Sequence, residues 1–153
     1  MSNNYLFHNN GDVTFSSNED MNKTLLLIMN GDEEKAIETI KENIRLRKGM
    51  PNIKSLETEK DMNGSTLLMA SIFYERNKLT DFLIPISNLN AISNDGTTAI
   101  GCACLANDIR SIKLIYDYMG EDIKNLFFKK NNKGNSPFDY LLQHIILDNK
   151  SSG

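Results

Sequence analysis

The feature that most constrains the fold is a short pattern that occurs three times after residue 60 of this 153-residue chain. The three segments can be superimposed from a polar tip into an apolar stretch, and their glycines, Gly64, Gly96 and Gly134, lie 32 and 38 residues apart. Self-similarity at such a period is typical of stacked repeat proteins, in which each unit buries its apolar surface against its neighbours. The segments are residues 61–71, 93–103 and 131–141.

Each segment predicts a sharp turn followed by a helix. The glycines lie in polar tips, where a positive φ favours glycine. Two residues later come Thr66, Thr98 and Ser136, whose hydroxyls are suited to cap the N-terminus of a helix. Pro137 then occupies the first position of the last helix, where its missing N–H costs nothing.

Apolar spacing predicts helices elsewhere in the chain as well. Residues 17–29 and 33–45 have the capping residues and the 3.6-residue period of two helices, separated by a turn at Gly31. Residues 47–60 contain Gly and Pro and are expected to form a long loop. With only three Pro and no Trp, a β-rich sandwich or barrel is disfavoured. The apolar side chains expected on the second helices of the repeats are Leu79, Phe82, Leu83, Ile109, Ile112, Leu114 and Ile115.

These residues resemble the ankyrin repeat, whose pattern runs D-x-x-G-x-T-P-L-H-x-A-A-x-x-G and continues into a second helix. The match is best over residues 61–91, and the resemblance covers about four-fifths of the chain. It implies an all-α fold, a solenoid of stacked helix-turn-helix units with short β-hairpin or turn tips. The expected repeats are approximately residues 22–47, 61–92, 93–126 and 131–148, with a flexible N-terminal arm at 1–21 and a tail at 149–153.

The chain departs from the family pattern at two positions of the repeat. Leu67 and Ala99 stand where the pattern has Pro, and Met69, Gly101 and Asp139 stand where it has His. The last repeat is also expected to stop after its first helix. Its apolar side chains would then need a cover, either the N-terminal arm or a second copy in a homodimer through the C-terminal repeat. The side chains left uncovered are Leu141, Leu142, Ile145 and Ile146, and the arm offers Tyr5, Leu6 and Phe7.

Composition excludes several classes of function. A net charge of −3 argues against a protein whose main task is to bind nucleic acid. The longest apolar run is too short to span a bilayer, and the first residues show no signal peptide, so we expect a cytoplasmic protein, of a cell or of a host into which it is delivered. Cys102 and Cys104 are spaced unsuitably for a disulfide, and with two histidines they cannot complete a zinc site. We therefore expect no cofactor or metal.

The resemblance implies a non-enzymatic module that binds another protein through its tips and the exposed, concave face of its first helices. Such a chain acts by occupancy, as an inhibitor, an immunity or antitoxin-like neutraliser, or an adaptor. The alternatives are a small helical enzyme or cofactor-binding domain and a structural subunit of a larger assembly. Phe73, Tyr74 and Leu105 are either anchors for the partner or part of an irregular core. The expected partner-binding residues are Lys60, Met62, Asn63, Phe73, Tyr74, Ile92, Asn94, Asp95, Leu105, Lys130, Asn132, Lys133 and His144.

Overall fold

The computed structural model describes residues 14–47 and 64–152. Within these two ranges the chain forms α-helices and short 3₁₀ turns, with no β-strand. The predicted site residues Lys60, Met62 and Asn63 lie outside the described residues, as do residues 1–13 of the predicted arm. The helices are α1 (Thr14–Asn30), α2 (Glu33–Arg47), α3 (Leu67–Phe73), α4 (Asn77–Leu83), α5 (Ala99–Leu105), α6 (Ile109–Met119), α7 (Lys124–Phe127) and α8 (Pro137–Ser152).

Three helix pairs share one turn geometry. The turns between α1 and α2, α3 and α4, and α5 and α6 each contain one residue of positive φ: Gly31 (87°), Glu75 (60°) and Asn107 (55°). In each pair the second helix begins two residues after that position. This is the Schellman arrangement, in which a left-handed residue lets two amides satisfy the last carbonyls of the first helix. The amides of Asp32, Arg76 and Asp108 accordingly donate to the carbonyls of Leu27, Ser71 and Ala103, at 2.9, 2.8 and 2.8 Å.

The polar tips have the geometry that their sequence predicts. Gly64, Gly96 and Gly134 have φ values of 76°, 86° and 85°. The hydroxyl oxygens of Thr66, Thr98 and Ser136 accept hydrogen bonds from the third following amide, at 3.2, 3.1 and 3.1 Å. Pro137 is the first residue of α8. The tips are turns without strands in the described part of the chain, so only the turn half of the expected hairpin-or-turn geometry is present.

The helices lie in two layers. In the first layer α1 contacts α3, α3 contacts α5, and α5 contacts α8. In the second layer α2 contacts α4 and α4 contacts α6, and each pair is closed by contacts between its own two helices. The buried apolar side chains fill the space between the layers, as each amphipathic helix turns its apolar side inward. The largest of them are Ile28, Ile40, Leu68, Ile72, Leu79, Ile84, Ile100 and Ile115.

Small side chains allow the first helices to approach closely. Ser71, Ala103 and Cys104 are completely buried, as their spacing predicts. The Ser71 hydroxyl donates to the Leu68 carbonyl and shares a 2.8 Å hydrogen bond with the buried hydroxyl of Thr80 on α4. A buried hydroxyl without a partner is costly, so this pair lets two polar groups lie in the core at little cost.

The structure differs from the predicted boundaries in three places. Helix α1 begins at Thr14, inside the segment expected to be an arm, and Met21 of that segment is buried. Helix α8 continues to Ser152, through most of the expected tail. The connection after α6 is helical, with a 3₁₀ turn at Gly120–Ile123 followed by α7, which runs one residue past the expected end of the third repeat at 126. No helix in the ranges 14–47 and 64–152 is long and apolar enough to cross a membrane.

Candidate functional site

A row of exposed apolar side chains runs across the first three helices of the first layer. Met29, Phe73 and Leu105 each stand two residues before the left-handed residue of a helix-pair turn, so the repeated turn places them at the same level. Their exposed fractions are 48%, 67% and 49%. We call these three residues the apolar row. A single exposed apolar side chain is ordinary on a protein surface, but apolar side chains exposed at the same position of three neighbouring helices are a feature of interaction sites.

A groove of about 410 Å³ lies beside the row, between α1, α3 and α5. Leu25 and Met29 line it from α1, Met69 and Phe73 from α3, and Cys102 from α5. Most of the lining residues are apolar. Four of them, Leu25, Ala70, Tyr74 and Cys102, also belong to the core or pack against it. The groove therefore has a preformed floor, which suits the insertion of an apolar side chain from a partner.

Phe73 and Tyr74 occupy different environments although they are neighbours. Their rings meet edge to face with centroids 5.0 Å apart. Tyr74 packs partly against the core, whereas Phe73 projects from the surface with two-thirds of its area exposed. The sequence allowed these residues to be either exposed or part of an irregular core. Phe73 and Leu105 are exposed, whereas Tyr74 is partly buried and packs edge to face against the Phe73 ring.

Cys102, which lines the groove, and Cys104, which lies in the core nearby in sequence, are both held in the thiol form. Burial raises the pKa of Cys102 to about 12, with a smaller contribution from the charge of Asp95. Burial alone raises the pKa of Cys104 to about 12. Because the thiolate is the nucleophilic form, both side chains are protonated at neutral pH and act as small apolar groups.

The predicted tip residues hold neighbouring tips together. The Asn132 amide donates to the carbonyl of Asp95 at 2.8 Å, and the Asn132 side chain donates to the carbonyl of Asn94 at 3.2 Å. Within its own tip the Asp95 carboxylate accepts from the Ser93 hydroxyl and the Thr97 amide, and these hydrogen bonds lower its pKa. The nearby Ile92 is 43% exposed. The tips are thus stacked by backbone and side-chain hydrogen bonds of the very residues expected to contact a partner.

Three further residues of the predicted site, Lys130, Lys133 and His144, also have partners within the chain. The Lys130 ammonium group lies 3.0 Å from the Asp139 carboxylate and donates to the Gly134 carbonyl at 3.3 Å. Lys133 lies 3.9 Å from the Asp95 carboxylate. The His144 Nε2 donates to the carbonyl of Leu105 at 2.8 Å, so it satisfies the C-terminal end of α5.

Sequence reasoning missed Leu25, Met29 and Met69 as members of the site. A signal for Met29 was present, because it precedes Gly31 by the same two residues that separate Phe73 from Glu75 and Leu105 from Asn107. An alignment on the tip glycines leaves out the first helix pair, because no such tip precedes it in the sequence. Alignment on the turn between the helices brings Met29 into register.

The described side chains provide no group of three His, Cys, Asp or Glu residues placed to hold a metal ion. No protein-family model matches the chain, and no curated protein is significantly similar to it. The function is therefore inferred from the repeated helix pairs and from the surface that they share.

Proposed function

We propose that the chain is an ankyrin-type repeat protein that binds one partner protein on the apolar row and its groove. It acts by occupancy, as an inhibitor, a neutraliser or an adaptor. The observation that carries the proposal is the alignment of Met29, Phe73 and Leu105 at one position of three successive helix pairs, all substantially exposed.

The repeated geometry supports the family resemblance at a position that ordinary residues avoid. The last glycine of the ankyrin pattern falls at Glu75 and Asn107, and both residues have positive φ values, of 60° and 55°. A non-glycine residue in this conformation is strained by about 1–2 kcal/mol. Two unrelated side chains therefore adopt the backbone conformation that the pattern's glycine provides, which is a property of the turn and not of the residue.

The departures from the pattern are accommodated locally. Met69 and Gly101, at the pattern's His position, are buried. Asp139, at the third such position, accepts a hydrogen bond from the Ser136 amide at 2.8 Å, while its own amide donates to the Ser136 hydroxyl. This reciprocal pair is a capping box, and it fixes the start of α8.

The dimensions of the row favour a short structured segment as the bound element. Packed helices lie about 8–10 Å apart, so three consecutive first helices span about 16–20 Å. A helix of three to four turns, at about 5.4 Å per turn, covers that distance. An apolar side chain from such a segment would insert beside Phe73. The apolar row itself consists of Met, Phe and Leu, so it offers no titratable group for catalysis.

Comparative capture tests this proposal. The tagged full-length protein and its Phe73→Ser variant are incubated with lysate of the source cells, and the bound proteins are quantified by mass spectrometry. A Tyr118→Ser variant is the matched control, because Tyr118 is 59% exposed but lies on α6 in the second layer. Far-ultraviolet circular dichroism checks that the three proteins are equally helical.

We expect at least one protein to bind the wild type and the Tyr118→Ser variant but not the Phe73→Ser variant. A large aromatic anchor at an interface contributes about 2 kcal/mol or more, which corresponds to a loss of about 30-fold in affinity. Equal recovery of every captured protein by Phe73→Ser and wild type would reject the apolar row as the binding site.

A further inference from the structure

Helix α8 exposes an apolar face on the side away from α5. Phe138, Leu142, Ile145 and Ile146 recur at the i, i+4, i+7 and i+8 spacing that places side chains on one side of a helix. Their exposed fractions are 38%, 38%, 55% and 52%. The other side of α8 is occupied, since Tyr140 is buried in the core and His144 binds the carbonyl of Leu105 on α5.

An aromatic cluster extends this surface beyond the helix. The ring of Phe128, which is 60% exposed, lies with its centroid 5.4 Å from that of Phe138. Phe127 stands behind both, with ring centroids at 5.1 Å from Phe128 and 5.8 Å from Phe138. We call Phe128, Phe138, Leu142, Ile145 and Ile146 the α8 face. The rings support one another, so the end of the face near Phe128 is a packed surface with little freedom to collapse.

We infer that the α8 face is the contact surface of a homodimer, with a second copy of this chain as its occupant. The area of the face matches what a stable dimer needs. Taking about 180 Å² for a fully exposed side chain of this size, the exposed fractions amount to about 440 Å² per copy. A standard interface buries about 800 Å² per partner, of which about 65%, or about 520 Å², is apolar in homodimers. The five side chains supply most of that apolar area.

The chemistry of the face also favours a second copy. A two-fold interface brings the same patch of both subunits together, so the patch must be complementary to itself. All five side chains are uncharged hydrocarbons, which satisfy this condition because apolar groups of two copies meet without like-charge repulsion. The face shares no residue with the apolar row, so this inference is independent of the proposed partner binding.

Sedimentation velocity of the full-length protein across the micromolar range tests the inference. Ile145→Lys and Ile145→Glu each place a charge at one of the two most exposed positions of the face. Leu147→Lys is the matched control, because Leu147 is equally exposed, at 58%, on a different side of the same helix. The fourth sample is a 1:1 mixture of the Lys and Glu variants, which brings opposite charges to the same self-complementary patch of the two subunits.

We expect the wild type and Leu147→Lys to dimerise with the same dissociation constant. Ile145→Lys and Ile145→Glu alone should be at least 10-fold weaker, and their mixture should recover dimer because opposite charges then face each other. A wild type that stays monomeric throughout the range would overturn the inference. So would equal weakening by Leu147→Lys, or a mixture that associates no better than its components.

Discussion

The three tip glycines form a graded test of how the helix pairs are stacked. Each is replaced by alanine in a separate variant: Gly134→Ala, Gly96→Ala and Gly64→Ala. All three positions have nearly the same positive φ, so the conformational cost of the new side chain is common to them. What differs is the neighbouring tip. A Cβ at Gly134 would meet nothing within 4 Å, whereas one at Gly96 or Gly64 would meet the following tip.

The contacts set the expected order of stability loss. Alanine in the left-handed region costs about 1–2 kcal/mol, partly offset by the lower entropy of the unfolded chain, so Gly134→Ala should lose about 1 kcal/mol. At Gly96 the new Cβ would lie 3.3 Å from the Cα of Asn131, which requires a small shift and about 1 kcal/mol more. At Gly64 the new Cβ would lie 2.6 Å from the side-chain Oδ1 of Asn94 and 2.8 Å from the backbone nitrogen of the same residue. Backbone must then move, and the total loss should reach about 2–4 kcal/mol.

Urea titrations followed by far-ultraviolet circular dichroism measure these losses. The slope of the free energy of unfolding against urea should be unchanged, so that the midpoints report stability alone. The reasoning requires the order Gly134, Gly96, Gly64 from least to most destabilised. Three equal losses would show that only the backbone conformation matters and that the tips do not pack against one another. A greater loss at Gly134 than at Gly64 would contradict the expectation that the tip of Gly64 packs against the tip that follows it and that Gly134 has no such neighbour.

Three further variants address the helix-pair turns and the response of stability to acid. Glu75→Gly removes a side chain from the left-handed region, and we expect a gain of about 0.5–1 kcal/mol in urea titrations, with a smaller gain for Asn107→Gly because Asn tolerates this region better; a loss in both would reject the turn strain. The Ser136 amide and the Lys130 ammonium group lower the pKa of Asp139. Its stabilising contribution is therefore complete above the unfolded-state pKa of about 3.9 and is lost as the pH falls through the lower folded-state value. Asp139→Asn should lose less stability than the wild type between pH 7 and about pH 3, and an identical decrement would show that the carboxylate is not linked to folding.

The local chemistry of the chain predicts much of this fold. A glycine followed two residues later by Thr or Ser fixes a left-handed turn and a capped helix within five residues, and all three such sites have that geometry. The apolar period likewise predicts helices over 17–29 and 33–45, which lie within α1 and α2. These signals are reliable because the groups that interact are neighbours in the sequence.

Features that depend on distant neighbours could not be predicted in the same way. Ile109 has the spacing of a core residue, yet it is 62% exposed, as the first residue of α6. Asn94 and Asn132 look like free polar side chains of a tip, and the bond between them joins residues 38 positions apart. Their expected role in binding a partner stays a prediction, and their role in stacking the tips is what the structure adds.

The two exposed apolar surfaces differ in how their side chains are distributed over the helices. This difference is why we propose a different occupant for each of them. The apolar row takes one side chain from each of three helices, so it runs across the helices, and a groove of about 410 Å³ lies beside it. We propose that such a surface binds a side chain that projects from the partner. The apolar row of a second copy would instead present side chains from three different helices, with gaps between them. The α8 face takes four of its five side chains from one helix and lies along it, so two copies can pack helix against helix with the same residues on both sides. The two surfaces share no residue, so a dimer formed through the α8 face would carry one apolar row on each copy.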